Sequence, residues 1–199
     1  MERLISIVIG YIFGCFQTGY FIGRLNKRVD IRQHGSGNAG TTNAIRVLGW
    51  KAGFYTFLGD FLKAIITILL IRLIYDDNVF ALYGGLGVVL GHNFPFFLKF
   101  KGGKGMAATA GVFFAFDYRI GLIGIALFII IVAITRFVSI GSLLMSTWMP
   151  IGIYIFHEDN YELLILGLGL MALAYIRHRA NISRLLNGEE NKLGHKKDA

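Results

Sequence analysis

Cysteine, proline and charge are all scarce in this chain of 199 residues. The single cysteine, Cys15, excludes an intramolecular disulfide and therefore a disulfide scaffold. Charged residues are only 16% of the chain, against roughly a quarter of an average soluble domain. Because 55% of the residues are hydrophobic and a domain of this size exposes most of its surface, an ordinary soluble domain is excluded, as is a disordered chain. The composition, with two prolines and 26 glycines, predicts an integral membrane protein of closely packed helices.

Positive charge, in contrast, is in excess, and the formal net charge is +8. An excess of this kind is typical of proteins that bind nucleic acid, anionic lipid or a phosphorylated ligand. The position of the charges along the chain decides among these three classes.

The chain contains seven apolar runs, of which the fourth and fifth are short. The first has about 20 residues, enough for one helix across a hydrocarbon core of ~30 Å. The runs cover residues 4–23, 54–75, 79–98, 106–116, 120–135, 138–156 and 163–176. Glu2 and Arg3 precede the first run and no small-residue cleavage site ends it, so an uncleaved helix is favoured over a signal peptide.

Basic residues gather in three places: residues 27–51, residues 99–104 and the part of the chain after residue 176. The positive-inside rule assigns all three to the cytoplasm, so an even number of spans must separate them. That condition holds only if residues 106–116 and 120–135 each cross the membrane. We therefore predict an all-α integral membrane protein with seven transmembrane helices, two of them short. The N-terminus is outside and the C-terminus is in the cytoplasm. Residues 1–199 form a single membrane domain, in which residues 191–199 are a flexible tail.

The first of three polar segments on the predicted cytoplasmic side is residues 34–49, which contains a literal G-x-G-x-x-G. No predicted strand precedes it, so dinucleotide binding is not supported. Its small residues leave backbone N–H groups exposed to a phosphate, and Thr41, Thr42 and Asn43 are predicted to cap a following helix. Arg46 follows about one turn later, where it can bind an anion. A mobile loop before an interfacial helix is the structural alternative.

The second segment, residues 91–105, ends in the turn Gly-Gly-Lys-Gly and lacks the spacing of a Walker A loop. The turn is predicted to present bare backbone donors and the cation of Lys104 at the positive end of a helix. An anchor obeying the positive-inside rule explains the lysines equally well. His92 lies just inside the apolar run, where a polar group needs a partner or a cavity, and a structural role is as well supported as a catalytic one.

The third segment, residues 177–190, is predicted to be helical and to place His178, Asn181 and Arg184 near one face. An amphipathic helix end that faces lipid is the alternative. Within the second run, Asp60 and Lys63 are three residues apart, and we predict an ion pair with a structural rather than a catalytic role.

The chain lacks a Ser–His–acid arrangement, a His/Cys cluster and the H-x4-D pair of soluble-type glycerolipid acyltransferases. What remains is a catalyst rich in cations and backbone donors. Such a catalyst suits substrates that bring their own activation, such as an acyl phosphate and a phosphorylated alcohol. A phosphate-ester transporter and a binder of anionic lipid are the alternatives, although the chain shows no internal repeat of the transporter kind.

The three segments resemble the three motifs of the bacterial acyl-phosphate:glycerol-3-phosphate acyltransferase (PlsY) family, and the resemblance covers essentially the whole chain. It implies a multi-pass, seven-helix enzyme of the bacterial plasma (inner) membrane, with the active site facing the cytoplasm. It implies transfer of an acyl chain from acyl phosphate to the 1-position hydroxyl of sn-glycerol 3-phosphate. The products are 1-acylglycerol 3-phosphate (lysophosphatidic acid) and phosphate, in the first acylation of phospholipid synthesis.

Because a good part of the positive charge falls inside the three segments on the predicted cytoplasmic side, no nucleic acid partner is expected. The resemblance implies no metal and no organic cofactor, and neither acyl-CoA nor acyl carrier protein acts directly as donor. A functional link to an enzyme that produces acyl phosphate is therefore expected. The residues implied as catalytic, which would hold the glycerol-phosphate group, are Ser36, Arg46, Lys104, His178 and Asn181. The residues implied as substrate-binding are Gly37, Asn38, Gly40, Thr41, Thr42, Asn43, His92, Lys101, Gly102, Gly103, Gly105 and Arg184. The general base is either His178 or the phosphate of the acceptor, whose second pKa is about 6. The acyl chain is expected in a groove along the short fourth and fifth helices.

Overall fold

The structure is a computed structural model and describes residues 1–158 and 160–194. All regular secondary structure in these residues is helical, which confirms the predicted all-α class. Two short 3-10 helices, Ile31–Gln33 and Phe96–Leu98, interrupt the loops. The α-helices are α1 (Glu2–Cys15), α2 (Thr18–Lys27), α3 (Thr41–Leu48), α4 (Trp50–Tyr75), α5 (Asn78–Asn93), α6 (Met106–Phe116), α7 (Tyr118–Thr135), α8 (Val138–Phe156), α9 (Tyr161–Arg177) and α10 (Arg179–Leu186).

Four helical stretches of the described residues are long and apolar enough to cross a membrane, or five if α9 and α10 count as one bent span. The four are Glu2–Lys27, Asn78–Leu98, Tyr118–Thr135 and Val138–Phe156. The bounds of α6 and α8 are those predicted, and Asp117 alone separates α6 from α7. With 11 residues, α6 rises only about 17 Å.

The first apolar run is not the single helix predicted, because Phe16 and Gln17 break it between α1 and α2. The break frees backbone carbonyls inside the bundle, and these need partners. The amide nitrogen of Gln17 donates to the carbonyl of Gly14 at 3.3 Å and to that of His92 at 3.0 Å. A polar side chain on the same run thus stabilises the break.

The third helix ends at the start of the second polar segment, within the apolar run 79–98. Helix α5 stops at Asn93, and Phe94 leaves the helical region with φ −134° and ψ 59°. The cause is Pro95, because the ring of a proline disfavours helical geometry at the residue before it. The chain then forms the 3-10 helix Phe96–Leu98 before it reaches the second polar segment's glycine turn.

The chain divides into two compact units, Met1–Tyr118 and Arg119–Ala199, and the single-domain organisation stays a prediction. In the first unit, α1 and α5 pack backbone against backbone. A Cβ atom at Gly10 would lie 2.0 Å from the carbonyl oxygen of Gly84, and one at Gly87 would lie 2.2 Å from that of Ile7. Small residues at these positions are what allows such an approach in a membrane protein.

Replacement of Gly87 by alanine is therefore expected to lower the free energy of unfolding by about 1–3 kcal/mol, since α1 must move away to make room. Gly169→Ala in α9 is the matched control, because nothing lies within 4 Å of its Cβ position. The control should be neutral or slightly stabilising through its helix propensity. Thermal unfolding of both variants in detergent measures the difference, and equal melting temperatures would contradict the close packing.

In the second unit, the indole nitrogen of Trp148 in α8 donates to the carbonyl of Ile120 in α7 at 3.0 Å. Asn160 caps α9 through its side-chain oxygen, which accepts from the N–H of Leu163 at 3.1 Å. Helices α9 and α10 meet at His178 with a bend of 60°. His178 therefore lies at a break and not within the continuous helix predicted for the third segment.

The predicted flexible tail, residues 191–199, is described only up to residue 194. Over that part, the N–H of Leu193 donates to the carbonyl of Arg136 at 2.8 Å, and the Lys192 ammonium lies 5.5 Å from the Phe137 ring centroid. Residues 195–199 lie outside the described residues.

Candidate active site

The loop of the first segment is organised around the side chain of Asn43, which is buried in the first turn of α3. Its amide nitrogen lies 2.7–3.0 Å from the carbonyl oxygens of Ile31, His34 and Asn38. Its amide oxygen accepts the N–H of Ser36 at 2.8 Å. These contacts use the hydrogen-bonding capacity of the amide, so Asn43 holds the loop in shape.

Capping of α3 by Thr41, Thr42 or Asn43 was the expectation, and it is wrong. The N-cap is Gly40, no side chain caps the helix, and the three residues lie within its first turn. The helix begins too early for these side chains to cap it, and the amide of Asn43 is turned back into the loop. Of the predicted catalytic residues in this segment, Ser36 lies exposed in the loop and Arg46 exposed on α3.

Arg32, two residues before the first segment, is hydrogen-bonded to the second segment. Its guanidinium donates to both carboxylate oxygens of Asp30, with Nε–Oδ1 3.0 Å and Nη2–Oδ2 2.8 Å. Its Nη1 donates to the carbonyls of Leu98 at 3.0 Å and Lys101 at 3.1 Å. The hydrogen bonds from Arg32 hold the pKa of the Asp30 carboxyl below its usual value. The chain just before the first segment is thus hydrogen-bonded to the second segment through Arg32, whose orientation is held by Asp30.

The lowered pKa of Asp30 predicts a pH dependence of stability. A carboxyl with a depressed folded-state pKa stabilises the fold above its unfolded pKa, near 3.9, and this contribution is lost as the pH falls through the folded value. We expect Asp30→Asn to lower the melting temperature at neutral pH, with the difference from the parent shrinking as the pH drops below about 4. Thermal unfolding in detergent across that range measures it, with Asp76→Asn as control. A difference that stays constant with pH would contradict the pairing.

The glycine turn of the second segment folds back onto the end of α5. The N–H of Gly102 donates to the carbonyl of Asn93 at 3.2 Å, and that of Gly103 to the carbonyl of His92 at 3.1 Å. The prediction of bare backbone donors is therefore wrong for these two N–H groups, because the last carbonyls of α5 use them. A Cβ at Gly103 would lie 2.1 Å from the Nε2 of His92, so only glycine fits there.

Lys104 follows this turn and is half-buried, while Lys101 is exposed. Gly105 ends the turn in the left-handed region, with φ +80°, and is the N-cap of α6. The cation of Lys104 is thereby attached to the N-terminal end of a helix, where the backbone dipole favours an anion.

Asp60 and Lys63 form the predicted ion pair at 2.9 Å, deep within the first unit. Thr18 donates its hydroxyl to the same oxygen of Asp60 at 3.0 Å. The pair also reaches the second segment, because the Lys63 ammonium lies 3.0 Å from the Nδ1 of His92. His92 is therefore buried beside a charge pair that the sequence places 29 residues away.

In the second unit, His178 is buried at the bend between α9 and α10. Its Nδ1 lies 2.8 Å from the carbonyl oxygen of Ala174. Because a carbonyl oxygen only accepts, Nδ1 carries a proton, and in the neutral ring Nε2 then carries the lone pair.

Glu190 organises the rest of the third segment. One carboxylate oxygen accepts from the amide of Asn181 at 2.6 Å and from the hydroxyl of Ser139 at 3.1 Å. The other accepts from the Nε of Arg184 at 2.7 Å. Asn181 and Arg184 therefore share a face of α10, as predicted from their spacing. The charge of Arg184 is paired, and its role in substrate binding stays a prediction.

The sequence of the chain matches the family model described as glycerol-3-phosphate acyltransferase over residues 4–188. The glycerol-3-phosphate acyltransferase of Thermoanaerobacter pseudethanolicus is 40% identical over 98% of each chain. The chain belongs to the glycerol-3-phosphate acyltransferase family. The resemblance noted from the three segments is thereby confirmed.

Two solved structures of PlsY (YgiH), an integral membrane glycerol 3-phosphate acyltransferase, also resemble this acyltransferase. The glycerol 3-phosphate form is 35% identical, with a TM-score of 0.90 over 98% of this chain and 96% of the other. The lysophosphatidic acid form is 34% identical, with a TM-score of 0.88 over the same shares. The integral membrane relatives and the apolar helices together show that this acyltransferase is a multi-pass bacterial membrane protein.

Three residues that position the motifs of this acyltransferase were missed from the sequence. From the sequence, Arg32 is one of the predicted cytoplasmic charges, Gln17 lies in a run predicted to be one apolar helix, and Glu190 has no predicted role. The signal available for Glu190 was its position four residues past the end of a basic helix. For Gln17 it was a polar amide inside an apolar run, which needs a partner.

Asn93 lies beside His92 within the second segment, just inside the apolar run, where a polar side chain needs a partner or a cavity. It is fully buried, and neither polar atom of its side chain has a hydrogen-bond partner among the described residues. Among the residues described here, no three potential metal ligands of the His, Cys, Asp and Glu type lie together.

Proposed function

We propose that this acyltransferase transfers an acyl chain from acyl phosphate to the 1-position hydroxyl of sn-glycerol 3-phosphate. The products are lysophosphatidic acid and inorganic phosphate. The observation that carries the proposal is the match to PlsY in its glycerol 3-phosphate form, together with the family match over residues 4–188. The lysophosphatidic acid form of PlsY supports the identity of the product.

The chemistry needs positioning and charge stabilisation more than it needs a strong nucleophile. The acceptor's hydroxyl oxygen attacks the carbonyl carbon of the acyl phosphate, and the C–O bond to phosphate breaks as phosphate leaves with its electron pair. The hydroxyl proton passes to a base. Cations and N–H donors lower the barrier by stabilising the developing negative charge. In the first unit these groups are Arg46 on α3 and Lys104 at the start of α6, for which the predicted role is the binding of phosphate oxygens.

The base is either Nε2 of His178 or the phosphate of the acceptor. The hydrogen bond from Nδ1 of His178 to the carbonyl of Ala174 supports the histidine, because it leaves the lone pair on Nε2. We expect His178→Ala to lower kcat at saturating acceptor by about 10²–10⁴-fold if the histidine is the base. A variant with near-normal kcat would assign the proton to the substrate phosphate.

A donor comparison tests the proposed reaction. Purified protein in detergent is given labelled glycerol 3-phosphate with acyl phosphate, acyl-CoA or acyl carrier protein loaded with the same chain. We expect labelled lysophosphatidic acid with acyl phosphate alone. Product formed equally well from acyl-CoA would overturn the donor assignment. No product from any donor, with labelled glycerol 3-phosphate crossing vesicle membranes, would favour a transporter.

We further propose seven spans, an external N-terminus and a cytoplasmic active site. Support comes from the distribution of basic residues, which gather in three stretches of the sequence, as the positive-inside rule expects of cytoplasmic loops. In a Cys15→Ala background, Lys27→Cys and Glu158→Cys place single thiols at exposed positions on predicted opposite sides. A membrane-impermeant maleimide is expected to label Glu158→Cys in intact spheroplasts and Lys27→Cys only in inverted vesicles. The reverse pattern would invert the topology.

A further inference from the structure

The Lys63 ammonium is the centre of a buried polar cluster in the first unit. Four acceptors lie within hydrogen-bonding distance of it and share its three N–H donors. They are the Oδ1 of Asp60 at 2.9 Å, the carbonyl of Gly14 at 3.1 Å, that of Phe16, and the Nδ1 of His92 at 3.0 Å. Side-chain exposures of 6% for Lys63 and 1% for Asp60 show that water does not solvate the pair. Buried charges within a membrane bundle are costly and usually mark function.

The ammonium determines which nitrogen of His92 carries the proton. An ammonium has only donors, so a nitrogen in contact with it must accept. The carboxylate of Asp60 does not compete for that position, since its Oδ1 lies 3.7 Å from Nδ1, beyond hydrogen-bonding distance. Nδ1 of His92 therefore carries a lone pair, and the ring proton is on Nε2.

Nε2 of His92 is turned to the glycine turn. The 2.1 Å between Nε2 and the Cβ position of Gly103 places the ring edge directly against that residue. The carbonyl of His92 accepts the N–H of Gly103, so ring and backbone hold the same side of the turn. Lys104 is the next residue along the chain.

We propose that Lys63, held by Asp60, is a positioning residue for acyl transfer. It fixes His92 in the Nε2–H tautomer and keeps that donor against the turn that carries Lys104. This inference rests on the proposed function, since the turn is assigned there to the binding of phosphate oxygens. The buried pair thereby has a role in catalysis, whereas its spacing in the sequence predicts a structural role alone.

The tautomer can be measured without any substrate. Long-range ¹H–¹⁵N spectra of protein labelled in its histidines distinguish a protonated ring nitrogen from one with a lone pair, and His92→Gln identifies the signals of His92. We expect a protonated Nε2 and an accepting Nδ1. A proton on Nδ1, or on both nitrogens, would overturn the inference.

A double variant separates positioning from folding. Lys63→Met alone leaves the Asp60 carboxylate buried and unpaired, and such a variant is prone to unfold. Asp60→Asn with Lys63→Met removes both charges, and replacement of a whole buried pair is often tolerated. In this variant we expect His92 to lose its single tautomer and kcat to fall by about 10–100-fold, the size of effect known for residues that orient metal-ligating histidines. The KM for glycerol 3-phosphate should change much less.

Lys51→Met, an exposed lysine on the same helix, is the matched control and should behave as the parent.

A purely structural pair would give a different result. The folded double variant would then have a lower melting temperature but the parental kcat and the parental His92 spectrum, and this outcome would overturn the proposal. If the parent protein makes no lysophosphatidic acid, the proposed function fails, and the histidine spectrum still decides whether Lys63 sets the tautomer.

Discussion

Replacement of Lys104 by methionine is expected to lower kcat/KM for acyl transfer by about 10²–10³-fold, the usual effect of removing one group that stabilises developing charge. The methionine keeps the length of the apolar stem and removes only the cation. The N–H groups of Gly102 and Gly103 are already used, because they donate to the end of α5. The cation of Lys104 is therefore expected to make the main contribution of this turn to anion binding. Initial rates of lysophosphatidic acid formation at several concentrations of both substrates measure the loss.

Lys99→Met is the matched control for this experiment. Lys99 lies five residues earlier in the same loop, is exposed and was not assigned to the site. Its loss lowers the local positive charge by the same amount, so general attraction of anions to the loop is reduced equally. Equal rates for the two variants would show that Lys104 acts only as a membrane anchor.

Replacement of Glu190 by alanine is expected to have the second large effect, on both stability and activity. The change removes the acceptor for Ser139, Asn181 and Arg184 at once, and leaves the buried amide of Asn181 without this partner. A lost partner of a buried polar group costs about 1–3 kcal/mol of unfolding free energy. We expect activity per folded protein to fall by about tenfold or more as Asn181 loses its fixed orientation, a size taken from other residues that orient functional side chains. Thermal unfolding and kcat of the same preparations measure the two effects.

The neighbouring residue provides the control for Glu190. Glu189 is exposed, and its backbone N–H donates a hydrogen bond to the carbonyl of Arg184 in α10 at 2.7 Å. Glu189→Ala leaves that bond intact and should change neither melting temperature nor kcat. If Glu190→Ala is equally silent, the carboxylate does not organise the third segment.

The apolar helices are the part of the fold that was best predicted from sequence. The bounds of α6 and α8 follow from hydropathy alone, because their ends coincide with changes in polarity. The break between α1 and α2 was not predictable in the same way. It depends on Gln17 meeting the carbonyl of His92, 75 residues away, and on Lys63 meeting that of Phe16. No local pattern reports such partners.

The same limit applies to the candidate site. The residue types and spacings of the three segments identified which parts of the chain carry chemistry. They did not show that Asn43 is used to close its own loop, or that Arg32 donates to the carbonyls of Leu98 and Lys101. Backbone carbonyls leave no signature in a sequence, so residues that act by binding them look like ordinary charges or amides.

Phosphorus NMR of a single reaction mixture tests the central claim most directly, because acyl phosphate, glycerol 3-phosphate, lysophosphatidic acid and inorganic phosphate are all observed together. With purified protein, we predict that acyl phosphate and glycerol 3-phosphate disappear at equal rates while lysophosphatidic acid and inorganic phosphate appear in equal amounts. Release of inorganic phosphate without lysophosphatidic acid would mean hydrolysis and would contradict acyl transfer.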